Sequence, residues 1–196
     1  FTRPFAAAVS PDSTRVYITD DLDDTVAVLD TATNTRIATI GVGVGGAPQG
    51  VALTLDGTRA YVTNRGAGTV SVLDTDPASA TYNTVIATIG GFTRPLGVAI
   101  TPAGTGTYIA NQGADTVSVL DTDPASATYN TVTATLEGFS SPEGVAVSPD
   151  GARTYIANNG DATVSVLDTA SGRGGDGGAG GAGGAVGHGG AGGDGG

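Results

Sequence analysis

The feature that most constrains the fold of this chain is a motif that occurs four times, beginning at Pro4, Pro48, Pro95 and Pro142. In its second copy the motif reads P-Q-G-V-A-L-T-L-D-G-T-R-A-Y-V-T-N-R-G-A-G-T-V-S-V-L-D-T over residues 48–75. Each of these prolines precedes a tyrosine by 13 residues, and the successive tyrosines are 44, 47 and 47 residues apart. Constant spacing over such a period indicates one supersecondary unit that is repeated along the chain.

Each repeat is predicted to contain four short β-strands. In the second copy these are residues 51–54, the tyrosine-containing stretch 60–63, the T-V-S-V-L-D stretch 69–74 and residues 84–89. Their β-branched and aromatic residues favour strands, and the turn after the first strand reads S-P-D-G in the fourth copy, which is type I turn chemistry. Four antiparallel strands in each repeat are typical of a β-propeller blade, so we predict an all-β propeller with the V-A-L-type strands innermost.

The centre of each repeat resembles the YVTN family of β-propeller repeats. Residues 61–64 read Y-V-T-N, and the related signatures Y-I-T-D, Y-I-A-N and Y-I-A-N occur at 17–20, 108–111 and 155–158. The resemblance covers residues 4–169. It implies a propeller scaffold, and it implies no single activity, because the family includes cell-surface proteins, periplasmic propellers and relatives of enzymes.

We predict two parts in the chain: blades over residues 1–169, with repeats that start near 4, 48, 95 and 142, and a glycine-rich tail over residues 170–196. No strand-like segment follows Thr169, so the last blade is expected to lack its outer strand. Residues 1–4 repeat the link at 92–95, which places the missing strand upstream in a longer protein. An unpaired edge is a template for strand addition, and self-association through this edge is therefore expected.

The tail follows a Gly-Gly-X pattern from Gly174 that is broken once, at residues 186–188. Such a segment has little apolar area to bury, which favours a flexible polar tail, although a three-residue period also suits stacked left-handed extended helices. The pattern resembles the glycine-rich domains of mycobacterial PE-PGRS proteins. That resemblance covers residues 174–196 alone.

Charge and composition exclude several classes of function. The net charge of −11, with eight arginines and no lysine, disfavours binding to nucleic acid or to an anionic membrane. There is no apolar run of 18 residues, so no membrane span is expected. Cysteine is absent and the single histidine, His188, lies in the tail, which leaves no histidine- or cysteine-based zinc or haem site and no Ser-His-Asp triad on the blades. We expect neither a cofactor nor a metal.

Three further patterns are better explained by structure than by chemistry. The G-x-G-x-x-G stretch at 41–46 precedes another strand, whereas a dinucleotide site needs a helix there. The acidic residues at 20–24 could ligate a hard cation, but their spacing is not that of an EF-hand and we favour a solvated loop. An aspartate before threonine ends the third strand of every repeat, which predicts turn hydrogen bonding by Asp30, Asp74, Asp121 and Asp168.

A candidate partner-binding surface lies at one rim. Because strand directions alternate, the Pro-Xaa-Gly link and the Asn-Xaa-Gly loop emerge on the same rim. Polar residues that differ between copies at this rim could recognise a partner, although neutral sequence variation at the surface would also explain the differences. The candidate residues are Gln49, Asn64, Arg65, Arg94, Asn111, Gln112, Glu143 and Asn158.

The sequence leaves three classes of function. The first is a non-enzymatic cell-surface or secreted scaffold that binds a protein or glycan, which the family resemblance and the missing catalytic groups favour. The second is a lactonase-like propeller enzyme whose catalytic blades lie outside this segment. The third is a nucleic-acid-binding propeller, against which the net charge counts.

Overall fold

The computed structural model describes residues 1–169 and the backbone of residues 173–174. This part of the chain contains β-strands, turns and loops, arranged as four antiparallel sheets of four strands each. The prediction of an all-β propeller built from four-stranded blades is confirmed. Within the same residues, the structure has no helix that could span a membrane.

The strands follow the repeats in order. The first blade contains β1 (Pro4–Val9), β2 (Arg15–Asp20), β3 (Thr25–Asp30) and β4 (Thr35–Gly41). The second contains β5 (Pro48–Leu53), β6 (Arg59–Asn64), β7 (Thr69–Asp74) and β8 (Thr84–Ile89). The third contains β9 (Pro95–Ile100), β10 (Gly106–Asn111), β11 (Thr116–Asp121) and β12 (Val132–Leu136). The fourth contains β13 (Pro142–Val147), β14 (Arg153–Asn158), β15 (Thr163–Asp168) and β16 (Arg173–Gly174).

The first strand of each blade is innermost, as predicted. Within a blade every strand pairs with the next one along the chain, so the first and fourth strands are the two edges. The first strands of neighbouring blades contact each other, β1 with β5, β5 with β9 and β9 with β13. They therefore form the inner edge of the blades. We call the end of the blades where these strands begin the proline rim, after Pro4, Pro48, Pro95 and Pro142.

The turn between the first two strands of each blade has the predicted hydrogen bond. In the first blade the Ser13 N–H donates to the Ser10 carbonyl at 2.8 Å, and Ser13 has a φ of 60°. Glycine is favoured at this position because φ is positive, and Gly57 occupies it in the second blade with φ 72°. The Asp12 carboxylate accepts hydrogen bonds from the Ser10 hydroxyl and the Thr14 N–H, which lowers the pKa of Asp12 to about 2.

The core lies between blades. Tyr61, Val70 and Val72 of the second blade pack against Ile109 and Leu120 of the third, and all five are fully buried. Equivalent residues form the other two interfaces, with Tyr17, Val26 and Val28 against Val62 and Leu73, and with Tyr108 and Val117 against Ile156 and Leu167. Full burial of each such side chain contributes about 1.5–3 kcal/mol, so these contacts hold neighbouring blades together.

The glycine of the Pro-Xaa-Gly motif allows the innermost strands to approach closely. A Cβ atom on Gly50 would lie 2.5 Å from the Leu96 carbonyl oxygen, and one on Gly97 would lie 2.2 Å from the Glu143 carbonyl oxygen. Both distances are shorter than a van der Waals contact. In the fourth blade a Cβ on Gly144 would meet the Ala157 Cβ at an ordinary 3.6 Å. The close approach of the next blade therefore accounts for glycine at positions 50 and 97.

The fourth blade differs from the sequence prediction at its outer edge. We expected no strand after Thr169, but β16 pairs there with Leu167 and Asp168 of β15. This strand has two residues and pairs through backbone groups, so no β-branched pattern in the sequence indicates it. Among the described residues, the remainder of β15, residues 163–166, has no outer partner strand. The predictions for the rest of the glycine-rich tail lie outside the described residues.

Candidate functional site

A cavity of about 400 Å³ opens at the proline rim. Its lining comes from two positions of the repeat, the residue after the first-strand proline and the residue after the Asn or Asp that ends the second strand. Arg3 lies on the link that leads into the first blade. The lining residues are Arg3, Phe5, Asp21, Gln49, Arg65, Leu96, Gln112 and Glu143.

One side of the cavity is an ion pair that is tied to the next blade. The Arg3 guanidinium donates two hydrogen bonds to the Asp21 carboxylate, through Nε to Oδ1 and through Nη2 to Oδ2 at 2.6 Å. The Gln49 side-chain amide donates to Asp21 Oδ2 at 2.8 Å. Asp21 and Gln49 are 6% and 4% exposed, whereas the Arg3 side chain is more than half exposed. The carboxylate is therefore held by the protein, and the guanidinium is reached from solvent.

The acidic loop at 20–24 is more buried and more extensively hydrogen-bonded than the solvated loop that we predict from the sequence. Asp20 is 2% exposed and accepts hydrogen bonds from the backbone N–H groups of Thr2 at 2.7 Å and Arg3 at 2.9 Å. Burial opposes ionisation of this carboxyl, but these hydrogen bonds outweigh it and lower the pKa of Asp20. Asp24 accepts from the backbone N–H groups of Gly45 and Ala47. In residues 1–169 the structure holds no group of three His, Cys, Asp or Glu side chains arranged as metal ligands.

The other side of the cavity carries a second hydrogen-bonded pair and a cation. The Gln112 amide donates to Glu143 Oε1 at 2.8 Å, which joins the third blade to the fourth. Arg65 lies at the same repeat position as Asp21 and Gln112 and is half-buried. Within the described part of the chain, no carboxylate pairs with the Arg65 guanidinium. The cavity thus presents a guanidinium without an ion-pair partner among the described residues, beside two amides and a carboxylate.

Four of the predicted site residues line this cavity, namely Gln49, Arg65, Gln112 and Glu143. The three predicted asparagines do not. Asn64 is fully buried, and its side-chain amide donates to the Thr69 hydroxyl at 3.0 Å and the Ser71 hydroxyl at 2.8 Å. Asn111 and Asn158 make the equivalent contacts and are 3% exposed. These side chains hold the loop below the rim, so they do not form part of the partner-binding surface that the sequence predicts.

Arg94 is the remaining predicted residue, and it lies outside the cavity. It is exposed on the link between the second and third blades, with φ 50°. Its side chain covers Gly113, where a Cβ would meet Arg94 Cδ at 3.0 Å. Arg94 therefore packs against the loop of the third blade.

Sequence reasoning missed Arg3, Phe5, Asp21 and Leu96. Phe5 and Leu96 occupy the same repeat position as Gln49 and Glu143, and Asp21 that of Arg65 and Gln112. The repeat alignment could have found them. Phe5 and Leu96 have no polar group that would mark them as site residues, and Asp21 stands in an acidic stretch whose composition indicates a solvated loop.

The two remaining patterns behave as predicted. In the 41–46 stretch the Gly46 N–H donates to the Gly43 carbonyl at 3.1 Å, and Gly43 has φ 102°, so these glycines form a loop between strands. The repeated aspartates Asp30, Asp74 and Asp121 form turn hydrogen bonds. Asp74 accepts from the hydroxyls of Ser79 and Thr81, both at 2.5 Å.

Comparison with solved structures supports the propeller fold. Hydrazine synthase of Kuenenia stuttgartiensis is 28% identical, with a TM-score of 0.74 over 88% of this chain and 48% of that one. A candidate 6-phosphogluconolactonase of Bacteroides fragilis is 18% identical, with a TM-score of 0.73 over 87% of this chain and 52% of the other. A protein of unknown function from Desulfotomaculum acetoxidans is 20% identical, with a TM-score of 0.73 over 88% and 54%. The chain thus spans about half the length of the structures it matches.

No curated protein matches the chain. The family model described as lactonase, 7-bladed beta-propeller, matches residues 4–138, which is more than half of the 196 residues. The matched region contains the first three blades and six of the eight residues that line the cavity. The chain belongs to the lactonase family of seven-bladed β-propellers.

Proposed function

We propose that this chain is part of a non-enzymatic propeller scaffold that binds a protein or glycan partner at the cavity in its proline rim. The observation that carries this proposal is the half-buried Arg65, whose guanidinium has no carboxylate partner among the described residues and lines a cavity with the side chains of Gln49 and Gln112. In a chain of net charge −11, a cation without a local partner suits a ligand that carries an anionic group.

The rest of the cavity fits a ligand with several polar groups. Glu143 can accept hydrogen bonds from hydroxyl or amide groups, while the exposed Phe5 offers an apolar surface to a sugar ring or a peptide side chain. The positions are fixed by the repeat, but their side chains differ from blade to blade. Such variation on a constant scaffold suits recognition of an asymmetric partner.

The test is a binding assay on the purified chain with a panel of neutral oligosaccharides, uronic-acid oligosaccharides and acidic peptides. An acidic probe is expected to bind, and Arg65→Ala is expected to weaken it by about 10- to 100-fold, as the loss of one charged hydrogen bond of about 1.5–3 kcal/mol predicts. Arg153→Ala is the matched control, because Arg153 is exposed at the opposite end of its blade. No binding to any probe, or equal losses in the two variants, would refute the proposal.

Hydrolysis of a lactone is the second candidate function, and the match to the lactonase family favours it. The Glu143 and Asp21 carboxylates are the acid–base groups that the cavity offers, although each is engaged by a neighbouring side chain. Hydrolysis of a sugar lactone by the purified chain, lost in Glu143→Gln and retained in Arg153→Ala, would establish this function in place of simple binding.

Several finer assignments belong to the same proposal. The Y-V-T-N signatures support membership of the YVTN repeats, and the Gly-Gly-X pattern supports a PE-PGRS-like tail over 170–196 next to blades over 1–169. We propose a cell-surface or secreted location on the same resemblances. Detection of the chain in surface and culture fractions, rather than in lysate, is the measurement that checks it. The net charge continues to disfavour nucleic acid as the partner.

A further inference from the structure

A second cavity lies at the end of the blades opposite the proline rim, where the turn between the first two strands of each blade is found. We call this end the turn rim. The cavity has a volume of about 410 Å³ and lies between the second and third blades, whereas the equivalent space between the first and second blades is about 110 Å³. The second and third blades both have a neighbouring blade on each side. The larger volume therefore comes from the residues of this one interface.

The cavity opens because the repeat changes at this interface. Between the first and second blades Pro11 packs on the turn glycine Gly57, where a Cβ would meet Pro11 Cδ at 3.4 Å. The turn glycine of the fourth blade meets the proline of the third in the same way, at 3.5 Å. Between the second and third blades leucine replaces this proline, and a Cβ on Gly104 would meet no atom within 4 Å. That leucine, Leu55, is 69% exposed and lines the cavity.

Two further departures from the repeat change the size and the charge of this interface. The turn aspartate of the other three blades is Ala103 in the third, and the arginine that begins their second strand is Gly106. In the second blade this arginine, Arg59, pairs with Asp74 at 3.2 Å. Asp121 is the equivalent aspartate of the third blade, and among the described residues no arginine pairs with it. Asp121 begins the loop that lines the cavity, so its carboxylate adds an unpaired negative charge there.

The lining of the cavity carries more negative than positive charge. Asp56 and Asp123 line it, and the lining cation Arg59 is already paired with Asp74. Asp123 is half-buried and accepts a hydrogen bond from the backbone N–H of Ala125 at 2.9 Å. Within the described part of the chain no other donor bonds to this carboxylate. It is therefore available to a ligand that carries a positive charge.

The rest of the lining is mostly apolar. It comes from Leu55, Pro102, Ala103, Pro124 and the ring of Tyr129. A cation is attracted to the face of a tyrosine ring as well as to a carboxylate. The volume of about 410 Å³ lies within the range of about 300–1,000 Å³ that is typical of small-molecule sites. These walls therefore suit a small ligand with an apolar body.

We propose that the cavity at the turn rim binds a small organic cation, with its charged group at Asp123 and its apolar body against Leu55 and Pro102. This site is separate from the one at the proline rim, because the two cavities share no lining residue and lie at opposite ends of the blades. The two sites also select opposite charges. The proline rim offers a guanidinium without an ion-pair partner, whereas the turn rim offers carboxylates in excess.

The test is a titration of the purified chain with hexylamine, 1-hexanol and hexanoate, followed by NMR or calorimetry at low ionic strength. These probes share an apolar body and differ in charge. Hexylamine is expected to bind with a Kd of about 1 mM or below. The alcohol should bind about 10-fold more weakly and hexanoate more weakly still, because the carboxylates of the cavity repel it. Added salt should weaken the binding of hexylamine and leave that of 1-hexanol unchanged.

Substitutions locate the binding. Asp123→Asn should weaken hexylamine by about 10-fold through the lost charge. Asp76→Asn is the matched control, because Asp76 lies in the same T-D-P-A-S-A-T-Y-N sequence and accepts the same backbone hydrogen bond at 2.9 Å, but does not line the cavity. Leu55→Pro restores the proline of the other blades and should also weaken binding, because its ring would pack on Gly104 and narrow the cavity. Circular dichroism of each variant shows whether the blades are folded.

Several results would overturn the proposal. One is equal binding of hexylamine and 1-hexanol, and another is no binding of hexylamine at about 10 mM. Equal losses in Asp123→Asn and Asp76→Asn would show that the amine responds to the overall charge of the chain and not to this cavity. If a peptide with one lysine between leucines binds about 10-fold more tightly than hexylamine, and Asp123→Asn weakens it, the ligand is a peptide and the assignment to a small molecule is wrong.

Discussion

A pair of substitutions at one repeat position tests whether the packing between blades holds the fold together. Val117 and Val164 are both the second residue of a T-V-S-V-L-D strand, so replacement by alanine changes the intrinsic strand propensity equally. Their surroundings differ, because Val117 is 0% exposed at the interface with the fourth blade and Val164 is 52% exposed. The difference between the two effects therefore measures the interface.

The expected magnitude follows from burial. Replacing valine with alanine removes the equivalent of two methylene groups, at about 0.8 kcal/mol each, or about 1.6 kcal/mol of transfer free energy. At Val117 the cavity left behind adds to this loss, so we expect about 2–3 kcal/mol. At Val164 about half of the transfer free energy applies and no closed cavity forms, which leaves less than about 1 kcal/mol.

Urea unfolding followed by circular dichroism measures both free energies, at a protein concentration low enough for the chain to be monomeric. The two variants should have the same urea dependence as the unmodified chain, so that a shift in midpoint reports stability. Equal losses for Val117→Ala and Val164→Ala would show that the face of the fourth blade is covered in the single chain. That result would refute the assignment of exposed and buried blade faces.

Three further predictions use the same unfolding assay. Gly97→Ala should destabilise the chain more than Gly144→Ala, because an added Cβ meets the carbonyl of the next blade at 2.2 Å in the first case and a methyl group at 3.6 Å in the second. Since the pKa of Asp12 is lowered from 3.8 to about 2, its hydrogen bonds stabilise the fold above about pH 4 and this contribution is lost as the pH falls towards 2, a loss that Asp12→Asn should reduce. Tyr61→Phe should cost about 1 kcal/mol through the lost hydrogen bond to Asn130 of the third blade, whereas Tyr155→Phe should have little effect because Tyr155 is 39% exposed.

The fold could be predicted from the sequence because the repeat constrains it four times. Turns, strand order and the innermost V-A-L-type strands all follow from spacing and turn chemistry. The two-residue strand at 173–174 could not be predicted, since backbone pairing of so short a segment leaves no side-chain pattern. The burial of Asn64 was missed for a related reason. An asparagine after a strand is usually a loop residue, and only the fold shows that its amide reaches the Ser71 hydroxyl of the next strand.

Half of the residues that line the candidate site could be predicted from the sequence. Positions that alternate around the proline rim follow from the repeat, so Gln49, Arg65, Gln112 and Glu143 could be placed together in advance. Which hydrogen bonds and ion pairs these side chains form depends on the neighbouring blade. Arg65 differs from Arg3 in this respect, because Arg3 pairs with Asp21 and Arg65 has no such partner among the described residues.

The contrast between the third and fourth blades shows that the burial of a residue depends on the neighbouring blade and cannot be inferred from the residue's own sequence context. Tyr108 and Tyr155 lie in strands that share the sequence T-Y-I-A-N, yet the first is in the core and the second is partly exposed, because within residues 1–169 a further blade packs on the third blade and none packs on this face of the fourth. The Y-I-A-N sequence therefore specifies one side of an interface between blades. Its tyrosine is buried only where another blade packs on that side. The same reasoning separates two kinds of surface in this chain. The blade faces repeat almost unchanged and suit association with another blade, whereas the rim varies from copy to copy and suits recognition of a different molecule.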